Sequence, residues 1–187
     1  MTRMITQAVL GLLLVWSVPA AAALSDADVK RFVEGLPAAF ELNKTFEAEG
    51  LDVSLDADVK AGKPVPTTPF TDGLKALREA SSDAYGRYAK LVKSQGFASP
   101  EAWAETGDRV MLAYIALKTP AEALEMAQSM TPAQLDMLPP NMRSTVESAM
   151  AFAKTVRTVP QADRDAVAPY VPQLDAFIDL EGQSYGE

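Results

Sequence analysis

Four aromatic side chains and one carboxylate are the residues of this sequence best placed to do chemistry together. Tyr85, Tyr88, Trp103 and Tyr114 lie at helical spacings in two neighbouring segments. They could line a pocket in which rings cover an apolar ligand and hydroxyls or the indole N–H orient it. Aromatic residues at that spacing also serve simply as core. Asp108 lies in the more apolar segment and shares a helical face with Ala104, Leu112 and Ile115. A carboxylate placed there is partly buried, needs a donor and is a candidate for a perturbed pKa. Its neighbour Arg109 stands four residues after Glu105, which predicts a surface pair between them.

What is missing narrows the chemistry further. The chain has no His and no Cys. That removes Ser-His-Asp triads, histidine general bases, thiolate nucleophiles, disulfides and His-ligated zinc together. Asp52, Asp56 and Asp58 are clustered carboxylates, but the glycine and glutamate spacing of a calcium loop is absent. Glu147 beside Ser148 is a lone carboxylate with no positioned partner, whereas glycoside chemistry uses a pair. The expectation is a non-enzymatic protein with no catalytic residue, no cofactor and no metal site.

Met130-Thr131-Pro132-Ala133-Gln134 is the most motif-like stretch. Thr131 fits an N-cap, Pro132 the first helical position and Gln134 the third, which makes a capping box. The stretch resembles the LTxxQ motif of periplasmic chaperones of the Spy and CpxP kind. That resemblance implies an all-helical fold and the binding of partly unfolded clients. The chain departs from the motif in carrying Met130 for leucine, in showing one clear copy and in being acidic. The segment from Gly96 to Trp103, with Gly107-Asp108-Arg109-Val110, is similar to small secreted all-helical proteins of Gram-negative bacteria with no assigned function; this implies fold and compartment only.

The elements that must position these residues read as helices throughout. Residues 1–23 have the form of a cleaved secretory signal: Arg3, an apolar run from Ala8 to Val18, Pro19, and Ala21 with Ala23 as the small pair before the cut. The expected location is the periplasm, and 24–187 is expected to form one helical domain without a stable membrane anchor. A first helix is predicted over about 26–35, a second from Pro37 to Gly50, and an extended proline-rich connection over 51–69. A third spans about 70–95 and ends at Gly96, and a fourth occupies about 100–118. Shorter helices follow at about 120–129, 132–138 and 141–158, then a proline-broken C-terminal part. Ser99-Pro100, Thr119-Pro120 and Thr131-Pro132 read as cap-and-proline helix starts. Residues 110–117 are apolar on all sides, as in a helix covered on most faces.

The architecture expected is therefore all-α, an irregular single-domain bundle of six to eight helices. The 70–95 and 100–118 segments should form its central hairpin. With 25 acidic against 17 basic residues the chain carries net charge −8, and loss of Arg3 makes the remainder more acidic still. Such a surface disfavours nucleic acid and anionic lipid. The leading functional expectation is binding of another envelope protein or a partly unfolded client, aided by adaptable methionines such as Met126, Met130, Met137, Met142 and Met150. A methionine-rich core is the commoner use of such residues. The alternative function is a carrier of a small apolar ligand held between helices. A carrier should show a closed apolar cavity among Tyr88, Trp103 and Tyr114; a protein binder should show a contiguous exposed apolar patch of more than roughly a few hundred Å2.

Overall fold

A computed structural model describes residues 23–51 and 66–184. Residues 1–22, where a secretory leader is expected, and residues 52–65 of the proline-rich connection, with Asp52, Asp56 and Asp58, lie outside the described residues. Among the described residues every regular element is helical.

The first helix, α1, runs unbroken from Asp26 to Ala48. Ser25 caps it, its hydroxyl oxygen accepting from the Asp28 N–H at 3.1 Å. The sequence predicted two helices split at Pro37, but Pro37 sits inside one. An interior proline costs about 3 kcal/mol through its missing N–H and its ring. The apolar stripe continues through it: Val29, Phe32 and Phe46 are fully buried, and Leu36 and Ala39 nearly so. Each large side chain buried this way contributes about 1.5–3 kcal/mol, so packing outweighs the local penalty.

The predicted 70–95 helix is two helices, α2 (Pro69–Ala80) and α3 (Ser82–Ser94). Ser81 is extended between them, at φ −156° and ψ 113°. Its hydroxyl oxygen accepts from the Ala84 N–H at 3.2 Å, so a residue that reads as a small member of the helical stripe is instead a cap. At the far end of α3, Gly96 adopts φ +88°. The Phe97 N–H then reaches the Val92 carbonyl at 3.1 Å, and the Phe97 ring is buried. This is the glycine-dependent helix ending, with its apolar contact, that the sequence predicts.

Helix α4 (Pro100–Lys118) is the axis of the molecule, packing against α1, α2 and α3. Ser99 caps it, accepting from the Ala102 N–H at 3.1 Å. Its coverage differs from expectation: Val110 and Ala113 are buried, but Leu117 is 39% exposed. Full burial therefore stops about one turn short of the helix end, where the following helices do not close over it. Thr119 also departs from its expected role. It ends α4 rather than capping the next helix, α5 (Ala121–Gln128), whose start is Pro120 with no side-chain cap.

Beyond α5 come α6 (Pro132–Asp136) and α7 (Pro140–Arg157). The capping box at α6 forms as the sequence predicts, the Thr131 N–H donating to Gln134 Oε1 at 2.8 Å. The Gln134 N–H donates back to Thr131 Oγ1 at 3.4 Å. The chain closes with α8 (Gln161–Val167), a 3-10 turn at Ala168–Tyr170 and α9 (Val171–Ser184). Val167 and Leu174 return to the main core, fully buried.

Candidate functional site

The aromatic centre is built around Trp103, 2% exposed at the N-terminal end of α4. Its ring lies 4.9 Å from Phe32, 5.3 Å from Phe70 and 5.4 Å from Tyr88, centroid to centroid. These tilted and edge-on arrangements match the ring quadrupoles. Gly107 makes the approach possible. A Cβ there would stand 2.6 Å from the Phe32 ring and 2.9 Å from Phe70.

The cluster opens onto a cavity of about 190 Å3, lined among others by Leu36, Phe40, Phe70, Tyr88, Trp103 and Phe177. Trp103 Nε1 is buried with no acceptor, and an indole N–H in such a place ordinarily finds one. Burial pushes the Tyr88 phenol far above its usual range.

Two of the four aromatic candidates thus meet, and two do not. The Tyr85 hydroxyl donates to Glu101 Oε1 at 2.7 Å on the outer surface, and that bond raises its pKa. Tyr114 faces α9, donating to Asp175 Oδ1 at 2.6 Å, with Lys118 Nζ also donating to that oxygen at 2.9 Å. Its phenol is pushed up to about 12, first by burial and then by the Asp175 bond. Phe32, Phe70 and Phe177 were not visible as partners in the sequence. Phe32 shares the α1 stripe with Val29 and Leu36, a usable signal; Phe70 and Phe177 arrive from elements remote in sequence and carry none.

Asp108 is 4% exposed and its oxygens are occupied. It accepts from the Phe70 N–H at 2.8 Å, from the Thr71 N–H at 3.2 Å and from the Thr71 hydroxyl. Thr68, at the cap position of α2, makes no capping bond of its own. Asp108 therefore caps α2 from across the bundle and satisfies donors that the helix start leaves open. Burial raises its pKa, and the bonds from Thr71 and Phe70 oppose that rise.

Arg109 does not pair with Glu105 as expected. Its guanidinium forks onto Asp163 of α8, at 2.8 Å to each carboxylate oxygen. Asp163 is 3% exposed; a buried carboxylate needs such a partner more than a surface glutamate does. The Leu24 N–H completes it, donating to Asp163 Oδ1 at 2.8 Å.

No family model, curated protein or solved structure matches this chain. Its chemistry has to be read from its own residues. Among the described residues no group of three or more acidic side chains is placed to hold a metal ion. No helix among them is long and apolar enough to cross a membrane.

The second feature is a surface. From Tyr114 to Phe152 no described side chain is buried. Met126, Met137 and Met142 are 76%, 85% and 51% exposed, so these methionines face solvent rather than filling a core. Met130 and Met150 are half-buried, as are Leu124, Leu135, Leu138 and Val146, and polar clasps add to this packing. Arg143 donates to the Leu135 carbonyl at 3.1 Å and the Asp136 carbonyl at 2.9 Å, tying α6 to α7. Arg157 donates to Gln128 Oε1 at 3.0 Å, tying α7 to α5.

Proposed function

We propose that this chain is a non-enzymatic helical protein of the bacterial envelope that binds another protein, either an envelope component or a partly unfolded client, through α5, α6 and α7. The observation that carries this reading is the unburied run from Tyr114 to Phe152 with its solvent-facing methionines. Within that run Met126, Met137 and Met142 face solvent, while Leu124, Leu135, Leu138 and Val146 are half-buried between its own helices. Thioether side chains are flexible and polarizable and adapt to varied partner shapes. The periplasmic location rests on the leader and its Ala21-Ala23 pair, and client binding on the likeness around Thr131. The acidic charge argues against nucleic acid as the partner.

The test is site-specific photocrosslinking in the periplasm. A crosslinker at Met126 or Met137 should capture protein, and one at exposed Lys30 on α1 should not. The triple variant Met126→Ser, Met137→Ser, Met142→Ser should lose capture while keeping its melting temperature. Equal capture from Lys30, or capture unchanged in the triple variant, would sink the reading. One dominant partner would indicate an adaptor or assembly factor, and a broad set of unfolded proteins a chaperone.

A second reading is favoured by a separate observation, the unpartnered Trp103 Nε1 beside the apolar cavity. It makes the chain a carrier of a small apolar ligand bearing a hydrogen-bond acceptor. A cavity of about 190 Å3 is comparable with one of roughly 150 Å3 that takes benzene, so the ligand would be about one ring in size. Trp103 and Trp16 are the two tryptophans, so without the leader Trp103 is the only indole reporter. Single-ring ligands with an acceptor should raise the melting temperature and shift this fluorescence. No response across a set of them would remove the carrier.

A further inference from the structure

The Leu24 nitrogen makes a buried long-range hydrogen bond to a carboxylate. It lies 2.8 Å from Asp163 Oδ1, in a buried bond joining residues 139 apart in sequence. The Leu24 side chain is itself buried, at 8% exposure, whereas Ala23 is exposed. Leu24 is also the residue that follows the Ala21-Ala23 pair of the leader. The atom that leader cleavage would expose is therefore the atom already aimed at a buried carboxylate.

We infer that cleavage of the Ala23–Leu24 bond is a maturation step that completes an ion cluster at Asp163. The reaction is hydrolysis: water supplies a hydroxyl to the Ala23 carbonyl carbon and a proton to the Leu24 nitrogen. Ala23 leaves with a carboxylate, and Leu24 keeps an amine that is protonated at neutral pH. A neutral N–H donor becomes an ammonium without moving, and a hydrogen bond to a carboxylate becomes an ion pair. This inference rests on the signal-peptide reading and assigns to the new terminus a role inside the fold.

The surroundings fit an added positive charge. On α8, Asp163 faces the nitrogen directly. On α4, Arg109 shares that carboxylate, and Glu105 lines the same groove as Arg109. On α1, Asp28 lines that groove too and pairs with Arg31. The Asp28 pKa is lowered first by the bond from Ser25, against the opposing effect of burial, then by Arg31 and last by the Arg109 charge. Asp26 accepts from the Tyr170 hydroxyl at 2.9 Å. Asp28 and Asp163 already pair with two cations, Arg31 and Arg109, Glu105 lies in the same groove, and the ammonium would add a third cation. The positive end of α1 opposes it, and Asp26 and Asp28 in the first turn of that helix offset this.

The experiment compares three wild-type chains: one beginning at Leu24, one at Ala23 and one at Ala22. None carries a substitution, so none should fail to fold for lack of a side chain. The Leu24 chain is expected to melt roughly 2–4 °C above the other two near pH 6, the size of shift that about 1 kcal/mol produces in a protein of this length. A free α-amino group ordinarily titrates near pH 8. The pairing should hold the proton more tightly in the folded chain. The advantage is then complete at pH 6 and should fade as pH rises into the alkaline range. Equal or lower melting of the Leu24 chain, or an advantage independent of pH, would overturn the ion pairing. Separately, the intact mass of the full chain exported from a Gram-negative host should place its terminus at Leu24. A terminus elsewhere would overturn the maturation step and the leader boundary, whatever the melting data show.

Discussion

Asp108 and Gly107 stand side by side on α4 and show how one turn of helix can organise a core. Gly107→Ala puts a better helix former at an interior position, which by propensity alone gains about 1 kcal/mol. The added Cβ would stand 2.6 Å from the Phe32 ring, and overpacking of a filled core typically costs about 1–3 kcal/mol. The clash should win, and denaturant unfolding should show net destabilisation. Asp108→Asn keeps the shape but sets an amide NH2 where donors converge, so we expect a loss of roughly 1–3 kcal/mol at neutral pH. Because the folded pKa of Asp108 is raised above its ordinary 3.8, the folded state holds the proton more tightly. Stability therefore falls as pH rises through the window above 3.8. The advantage of aspartate over asparagine should be larger near pH 4 than at pH 7, as urea titrations at both pH values would show. The burial of Asp108 was legible from its face-mates Ala104, Leu112 and Ile115. Its partners were not, because Phe70 and Thr71 reach it from another helix.

At the scale of elements, local chemistry predicted helix ends well wherever a cap was satisfied within its own turn. Ser99, Gly96 and the Thr131–Gln134 box all behave as their side chains and spacing dictate. Prediction failed where tertiary packing decided. Pro37 reads as a break, yet α1 continues because its buried stripe extends on both sides. Pro37 is itself exposed, so Pro37→Ala should restore a helical hydrogen bond without opening a cavity. We expect stabilisation of about 1 kcal/mol or more, read as a higher denaturation midpoint with unchanged slope. Ser81 failed in the opposite sense: its spacing suits a continuous helix, but its hydroxyl serves the next one. Trp103 and Tyr88 were legible as an aromatic pair from spacing on adjacent elements. Tyr85 and Tyr114 sit on those same elements, but Tyr85 turns outward to Glu101 and Tyr114 turns toward Asp175 on α9.

At the scale of the whole molecule, burial is divided unevenly. The main core gathers α1 to α4 with α8 and α9, whereas α5 and α6 bury no residue and α7 buries Ala153 and Val156 in its last turns, outside that cluster. Few buried apolar contacts mean low resistance to local opening. Amide hydrogens of 121–150 should exchange well before those of α1 and the buried half of α4, as native-state exchange followed by mass spectrometry would show. Equal protection would mean that the clasps of Arg143 and Arg157 match a packed core. The sequence concealed this division, because Leu, Met and Ala recur in α5 to α7 as they do in core helices; what distinguishes them is that no element among the described residues covers their outer face.

The outward-facing methionines have a consequence of a different kind. A thioether at 76% or 85% exposure, as at Met126 and Met137, is open to peroxide, and its sulfoxide is polar where the thioether was not. Mild oxidation should modify these positions first and leave the melting temperature nearly unchanged, since neither side chain supports the core. The surface would lose its apolar character while the fold survived. Peptide mapping after graded peroxide treatment would show the order of attack. A chain of this kind could be inactivated by its surroundings, and restored by a sulfoxide reductase, without ever unfolding.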